Sequence, residues 1–178
     1  MSTTEQAQRA LPTGTWNADP VHSTVGFAIE YMAGTFQGTF SEVESRIEDG
    51  QVQGTAKVAS IQVKDPNLEA HLQSPDFFDA ERHPELCFRS REIGQDGDEL
   101  TITGELTMKG HTEEVQIVAH VTEPMQDPFG NERFGLRLET TVDRTAFGIS
   151  WNNPLPSGEP ALSNDVTIIA DLQYVREA

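Results

Sequence analysis

The stretch LTITGELTMKGHTEEVQIVAHV, residues 100–121, decides the fold. Leu100, Ile102, Gly104, Leu106 and Met108 alternate with Thr101, Thr103, Glu105 and Thr107. Successive side chains of an extended chain point to opposite faces, so this is a strand with one buried and one wetted side. Lys109-Gly110-His111 then reads as a short loop, after which Val115, Ile117, Ala119 and Val121 resume the same period. The pair is a hairpin.

Working outward, the same alternation recurs in Val25, Phe27, Ile29 and Tyr31, in Phe134, Leu136, Leu138 and Val142, and in Val166, Ile168, Ala170, Leu172 and Tyr174. Weaker versions occupy residues 35–48, 52–64 and 85–93, which brings the expected count to about eight strands. Asp49-Gly50 and Asp96-Gly97 are hairpin signals, and Pro128-Phe129-Gly130-Asn131 is a further loop. Sequential hairpins imply an up-and-down antiparallel meander. Curling it closed removes both exposed edges, so the expected fold is all-β, an eight-stranded barrel.

One insertion interrupts the strands, from Asp65 to Pro84. Asp65 can cap a short helix that starts at Pro66 and carries Leu68 and Leu72 on one face, with Phe77 and Phe78 just behind it. A short apolar helix and an aromatic pair suit a lid over one barrel end; an inert plug is the alternative. Residues 1–13 are polar, unpatterned and end at a proline, and are read as a flexible tail before a single domain spanning 14–178.

Twelve Lys plus Arg stand against 29 Asp plus Glu, a net charge of −17. Such a surface repels nucleic-acid phosphates and anionic lipid headgroups, so neither nucleic acid nor stable membrane insertion is expected. No run approaches the roughly 18 apolar residues that span a bilayer, and Met1 to Gly14 lacks the pattern of an export signal. A cytoplasmic location is the expectation. The lone Cys87 has no partner for an intramolecular disulfide, and an inert thiol is the simpler reading.

An eight-stranded barrel is filled by its own side chains or holds one small ligand. Gly104, Ala119, Thr140 and Ala170 are the middle members of four inward rows with larger residues on either side, which favours an elongated apolar void at a narrow waist. Phe27, Ile29, Tyr31, Phe36, Phe40, Leu72, Phe77, Phe78, Phe88, Leu106, Met108, Phe134, Leu136, Phe147, Ile149 and Trp151 complete the expected lining. These walls suit a hydrocarbon chain.

At this point the residues resemble the YceI-like family of polyisoprenoid-binding, lipocalin-like proteins. The resemblance runs from Trp16-x-x-Asp19-x-x-His22-Ser23-x-Val25-x-Phe27, through Asp65-Pro66-Asn67-Leu68-x-x-His71-Leu72-x-Ser74-x-Asp76-Phe77-Phe78-Asp79 and Gly104-x-Leu106-Thr107-Met108-x-Gly110-x-Thr112, to Arg144-x-x-Phe147-Gly148-Ile149 and Asp165-Val166-x-Ile168. It implies an eight-stranded lipocalin-like barrel with a helix beside it, a tunnel for isoprenoid-type or other long amphiphilic lipids such as quinones or prenyl diphosphates, and no catalytic residues. The expected partner is a long-chain isoprenoid, quinone or fatty-type lipid, and no cofactor is expected.

His22, His71, Arg82 and Arg144 are the candidates for contact with a lipid head group. With Lys64, Arg82 and Arg144 as the available cations, a neutral or weakly polar head is expected to fit better than a diphosphate. Adjacent His22 and Ser23 point to opposite faces of a strand and cannot form a nucleophile–base pair. His71, His83, His111 and His120 show no i, i+4 pairing or cysteine cluster that would mark a zinc site. A carrier or store for one apolar lipid is therefore the preferred reading, and a homodimer is left open. The alternatives are an enzyme acting on an isoprenoid-like substrate in the tunnel and a ligand-free interaction module.

Overall fold

A computed structural model of the chain describes residues 11–177. It contains strands β1 (Trp16–Ala18), β2 (Thr24–Tyr31), β3 (Gly34–Phe40), β4 (Val43–Glu48), β5 (Gln51–Lys57) and β6 (Ile61–Gln62), then helix α1 (Pro66–Gln73). After the helix come β7 (Glu85–Asp96), β8 (Glu99–Met108), β9 (His111–Val121), β10 (Met125–Gln126), β11 (Glu132–Asp143) and β12 (Leu162–Arg176).

The segments assemble into an eight-stranded closed antiparallel barrel, because three of its staves are broken in two. β1 and β2 both pair with β12 and are parted at Asp19–Ser23. Likewise β1 pairs with β4 and β2 with β3, so β3 and β4 form the next stave, interrupted at Ser41–Glu42. β5 and β6 are the third, split by a single 3-10 turn at Val58–Ser60. From β7 the meander runs on through β8, β9 and β11 to β12, whose pairing with β1 and β2 closes the ring. These breaks explain why alternation between residues 35 and 64 is weak in the sequence: each interruption resets the phase of the inward row.

The turns fit the twist of the strands they join. Asp49-Gly50 and Lys109-Gly110 connect directly paired residues with both φ angles positive, 53° and 77° at the first, 51° and 77° at the second. That is the mirror-image turn favoured by tight hairpins, and it needs a residue tolerant of the left-handed region, above all glycine at the second position. Helix α1 starts as its residues dictate, with the Asp65 carboxylate accepting from the Asn67 N–H at 2.9 Å and Pro66 in the first turn.

The residues 1–10 of the expected tail lie outside the described residues. Ordered contacts are already made at Leu11, which packs against the core, and at Thr13, whose carbonyl accepts from the Trp16 indole at 3.0 Å.

Candidate functional site

The interior divides into a packed half and a hollow half. At the packed end Trp16, Ile47, Leu100, Ile102, Ala119, Leu136 and Tyr174 are completely buried. Phe134 meets the Trp16 ring edge-on at 4.8 Å and stacks on Tyr174 at 5.3 Å. Close-packed aromatics of this kind leave no room for a guest. The Tyr174 hydroxyl, 2.8 Å from Ser45 Oγ, finds its one polar partner at the boundary, and burial pushes its pKa up to about 12.

Beyond that boundary the barrel keeps a cavity of about 370 Å³. Of the residues expected to line it, Phe27, Ile29, Tyr31, Phe36, Phe40, Leu72, Phe77, Phe78, Phe88, Leu106, Met108, Ile149, Trp151 and Ala170 do so. Phe134 and Leu136 do not, because both belong to the packed end. Phe147 is also absent from the wall; it is buried in the short 3-10 segment Arg144–Phe147, which packs against β9. β9 and β11 pair only through Val118–Val121 and Leu136–Glu139, and this segment follows where their ladder has ended.

The expected waist is not a ring of small residues around a void. Thr140 and Ala170 line the cavity, while Gly104 and Ala119 sit outside it. At Gly104 the absent side chain is replaced by the neighbouring strand: a Cβ there would fall 2.3 Å from the Arg89 carbonyl oxygen and 2.8 Å from Ser90 Cα. The cause is a bulge in β7, where the pairing register shifts between Ser90 and Glu92 and Ser90 Oγ turns inward to accept from the Val52 N–H at 2.8 Å. Glycine is required for backbone approach, not for ligand volume.

The insertion covers the hollow end with two aromatic groups. His71, Phe77 and Trp151 form one, with ring centroids 4.7–5.4 Å apart. Phe78 packs edge-on against Phe27 and Phe40 at 6.4 and 5.9 Å. The Lys109 ammonium, at the β8–β9 turn, donates to the Pro75 carbonyl and ties the insertion to the rim.

The four head-group candidates separate cleanly. Arg144 and His71 line the cavity; His22 and Arg82 do not. His22 sits on the outer surface with Nδ1 2.7 Å from Asp19, in a cluster where Arg133 bridges Asp19 and Asp127. Hydrogen bonds from His22 and then Arg133 hold the Asp19 carboxyl well below the usual carboxylate range. Arg82 extends into solvent, 4.0 Å from Asp79. Their residue types suit a head group, but where they sit is decided by the fold, which turns both outward. Cys87 touches the cavity wall, and burial followed by the nearby Glu85 charge raises its pKa, the opposite of an activated thiol.

Leu138, Val115, Ile117, Val166, Ile168 and Leu172 also line the cavity. All lie in the inward rows, so the alternation carries the signal for them, whereas Leu68 enters through the insertion and Leu162 is the first residue of β12, ahead of its bulge.

A closed up-and-down barrel that keeps an apolar chamber under a helical cover is a lipocalin-like barrel. The YceI-like domain model matches residues 16–174, and the chain belongs to the YceI-like family. A UPF0312 protein of Pectobacterium atrosepticum is 30% identical over 164 residues, 88% of this chain and 82% of its own. Protein YceI of Escherichia coli O157:H7 is 32% identical over 136 residues, covering 72% and 71% of the two chains. Among solved structures, BcnA of Burkholderia cenocepacia superposes with a TM-score of 0.77 at 22% identity over 88% of this chain and 98% of its own. A polyisoprenoid-binding domain from Saccharophagus degradans gives 0.73 at 11% identity over 91% and 98%.

Proposed function

We propose that the barrel binds one long isoprenoid-type lipid, its chain in the hollow half, and acts as a carrier or store for it. The observation that carries this reading is the chamber itself, about 370 Å³ walled by side chains such as Phe27, Phe40, Met108, Ile168 and Trp151. Its volume falls within the ~300–1,000 Å³ common to small-molecule sites. Burying a methylene is worth roughly 0.8 kcal/mol, so each prenyl unit offers a gross few kcal/mol before the costs of ordering. Several units in a dry chamber give useful affinity without any catalytic group. The polyisoprenoid-binding domain of the same fold supports the choice of chain.

Native mass spectrometry of protein purified without detergent, followed by solvent extraction, tests it. The expected result is a mass increment that extraction removes and identifies as a prenyl lipid. Protein that neither carries nor takes up any apolar chain would overturn the reading.

A further inference from the structure

The one cationic Lys or Arg of the cavity wall, among the described residues, is Arg144. It is 3% exposed. Its Nε donates to the Ser163 carbonyl at 2.9 Å and its Nη1 to the Ile149 carbonyl at 3.0 Å. Nη2 is fully buried and has no hydrogen-bond partner, the one such side-chain nitrogen or oxygen among the described residues. Both partners it does have are neutral backbone oxygens. The adjacent Asp143 carboxylate is turned to Thr145, accepting from its N–H at 2.9 Å and its hydroxyl at 2.6 Å. A guanidinium has five N–H groups; one on Nε and one on Nη1 are used, and one on Nη1 and both on Nη2 remain.

Asp143 acts on the guanidinium through space but gives it no hydrogen bond, and a buried charge with an orphaned donor is costly. A guanidinium nitrogen left without an acceptor pairs with a carboxylate oxygen through a charge-assisted hydrogen bond, stronger than one to a neutral oxygen. A single positive charge balances a single negative one. A diphosphate would leave excess negative charge in a chain that already carries −17, and an alcohol or quinone oxygen would leave the guanidinium without a charged hydrogen-bond partner.

From this orphaned donor on a cavity-wall residue we propose that the ligand's head is a monocarboxylate, paired with the Arg144 guanidinium through Nη2, with the apolar chain along the cavity. The inference rests on the lipid-binding reading above and specifies its head group. The fold has already met the cost of burying the guanidinium, so the carboxylate finds a fixed, water-poor partner.

The test uses delipidated full-length protein and displacement of a fluorescent apolar probe by farnesoic acid, its methyl ester, farnesol, farnesyl diphosphate and palmitate. The acid should bind at least tenfold more tightly than the ester or the alcohol, and Arg144→Met should erase that preference while leaving farnesol binding in place. Arg144→Lys, which keeps the charge and loses the planar guanidinium, should recover only part of it. If either variant fails to fold, the acid-against-ester comparison on the unaltered protein decides alone. Equal binding of acid, ester and alcohol, or strongest binding of the diphosphate, would overturn the anchor and leave the lipid reading standing. Palmitate outcompeting farnesoate would support the anchor while overturning the isoprenoid chain. No displacement by any of them would overturn both.

Discussion

Gly104 and Ala170 look alike in sequence, two small residues in inward rows, and the structure gives them opposite consequences. A side chain at Gly104 collides with the Arg89 carbonyl and Ser90, fixed backbone that cannot swing aside. Gly104→Ala should therefore lower stability by ~1–3 kcal/mol, read from the urea midpoint, with bound lipid per folded molecule unchanged. Ala170 borders the chamber, so Ala170→Leu projects into free volume. Its expected effect is loss of long-chain binding with the melting temperature of delipidated protein equal to or above that of the parent. A fall of both together would mean that Ala170 is ordinary packed core. At Tyr174 the fold favours the neutral phenol: its pKa is about 12, against 10.0 for the free side chain. That contribution is complete below pH 10 and is lost as pH rises from 10 towards 12. Urea midpoints across this range should decline, and Tyr174→Phe should flatten the decline while costing ~0.5–1.5 kcal/mol at neutral pH through the lost Ser45 bond.

At the scale of elements, the insertion between β6 and β7 sets access to the chamber. Its capped helix was legible because Asp65 and Pro66 act locally, through one side-chain hydrogen bond and one fixed φ. What Phe77 and Phe78 do was not legible, since adjacent residues part into two separate aromatic groups only once Trp151 and Phe27 arrive from other staves. Phe77 is 8% exposed and belongs to the continuous core, whereas Phe78 is half-buried over the chamber. Phe78→Ala should therefore speed lipid dissociation in a stopped-flow transfer assay with a small loss of melting temperature. Phe77→Ala should cost ~3–5 kcal/mol of stability as well, the usual toll of deleting a buried aromatic ring. Equal loss of stability and retention in both variants would mark the pair as a plug. His71 joins Phe77 and Trp151 and lies in the cavity wall, a position that its place on the insertion alone does not decide between a local cap and a wall residue.

For the molecule as a whole, a ligand that fills the hollow half binds the folded state alone and must stabilise it. At a free concentration of 100 times Kd the increment is about 2.7 kcal/mol, which for a chain of this size corresponds to roughly 5–10 °C in melting temperature. A scan of delipidated protein with and without saturating prenyl lipid should show that rise, and no shift at saturation would contradict binding inside the barrel. The sequence by itself determined the strands, the turns, the meander and hence the closed barrel, because period-two alternation and turn chemistry are local and repeat along the chain. It also marked most of the cavity wall, since an inward row is inward at every second residue. Only the tertiary structure decided where along those rows the barrel is full and where it is hollow. That depends on the offset between neighbouring strands, on the β7 bulge that brings Arg89 and Ser90 against Gly104, and on Trp16, Phe134 and Tyr174 meeting at one end. For the same reason Arg144 is a cavity residue and His22 a surface one: burial of a charge is settled by what closes around it, and no local pattern records that.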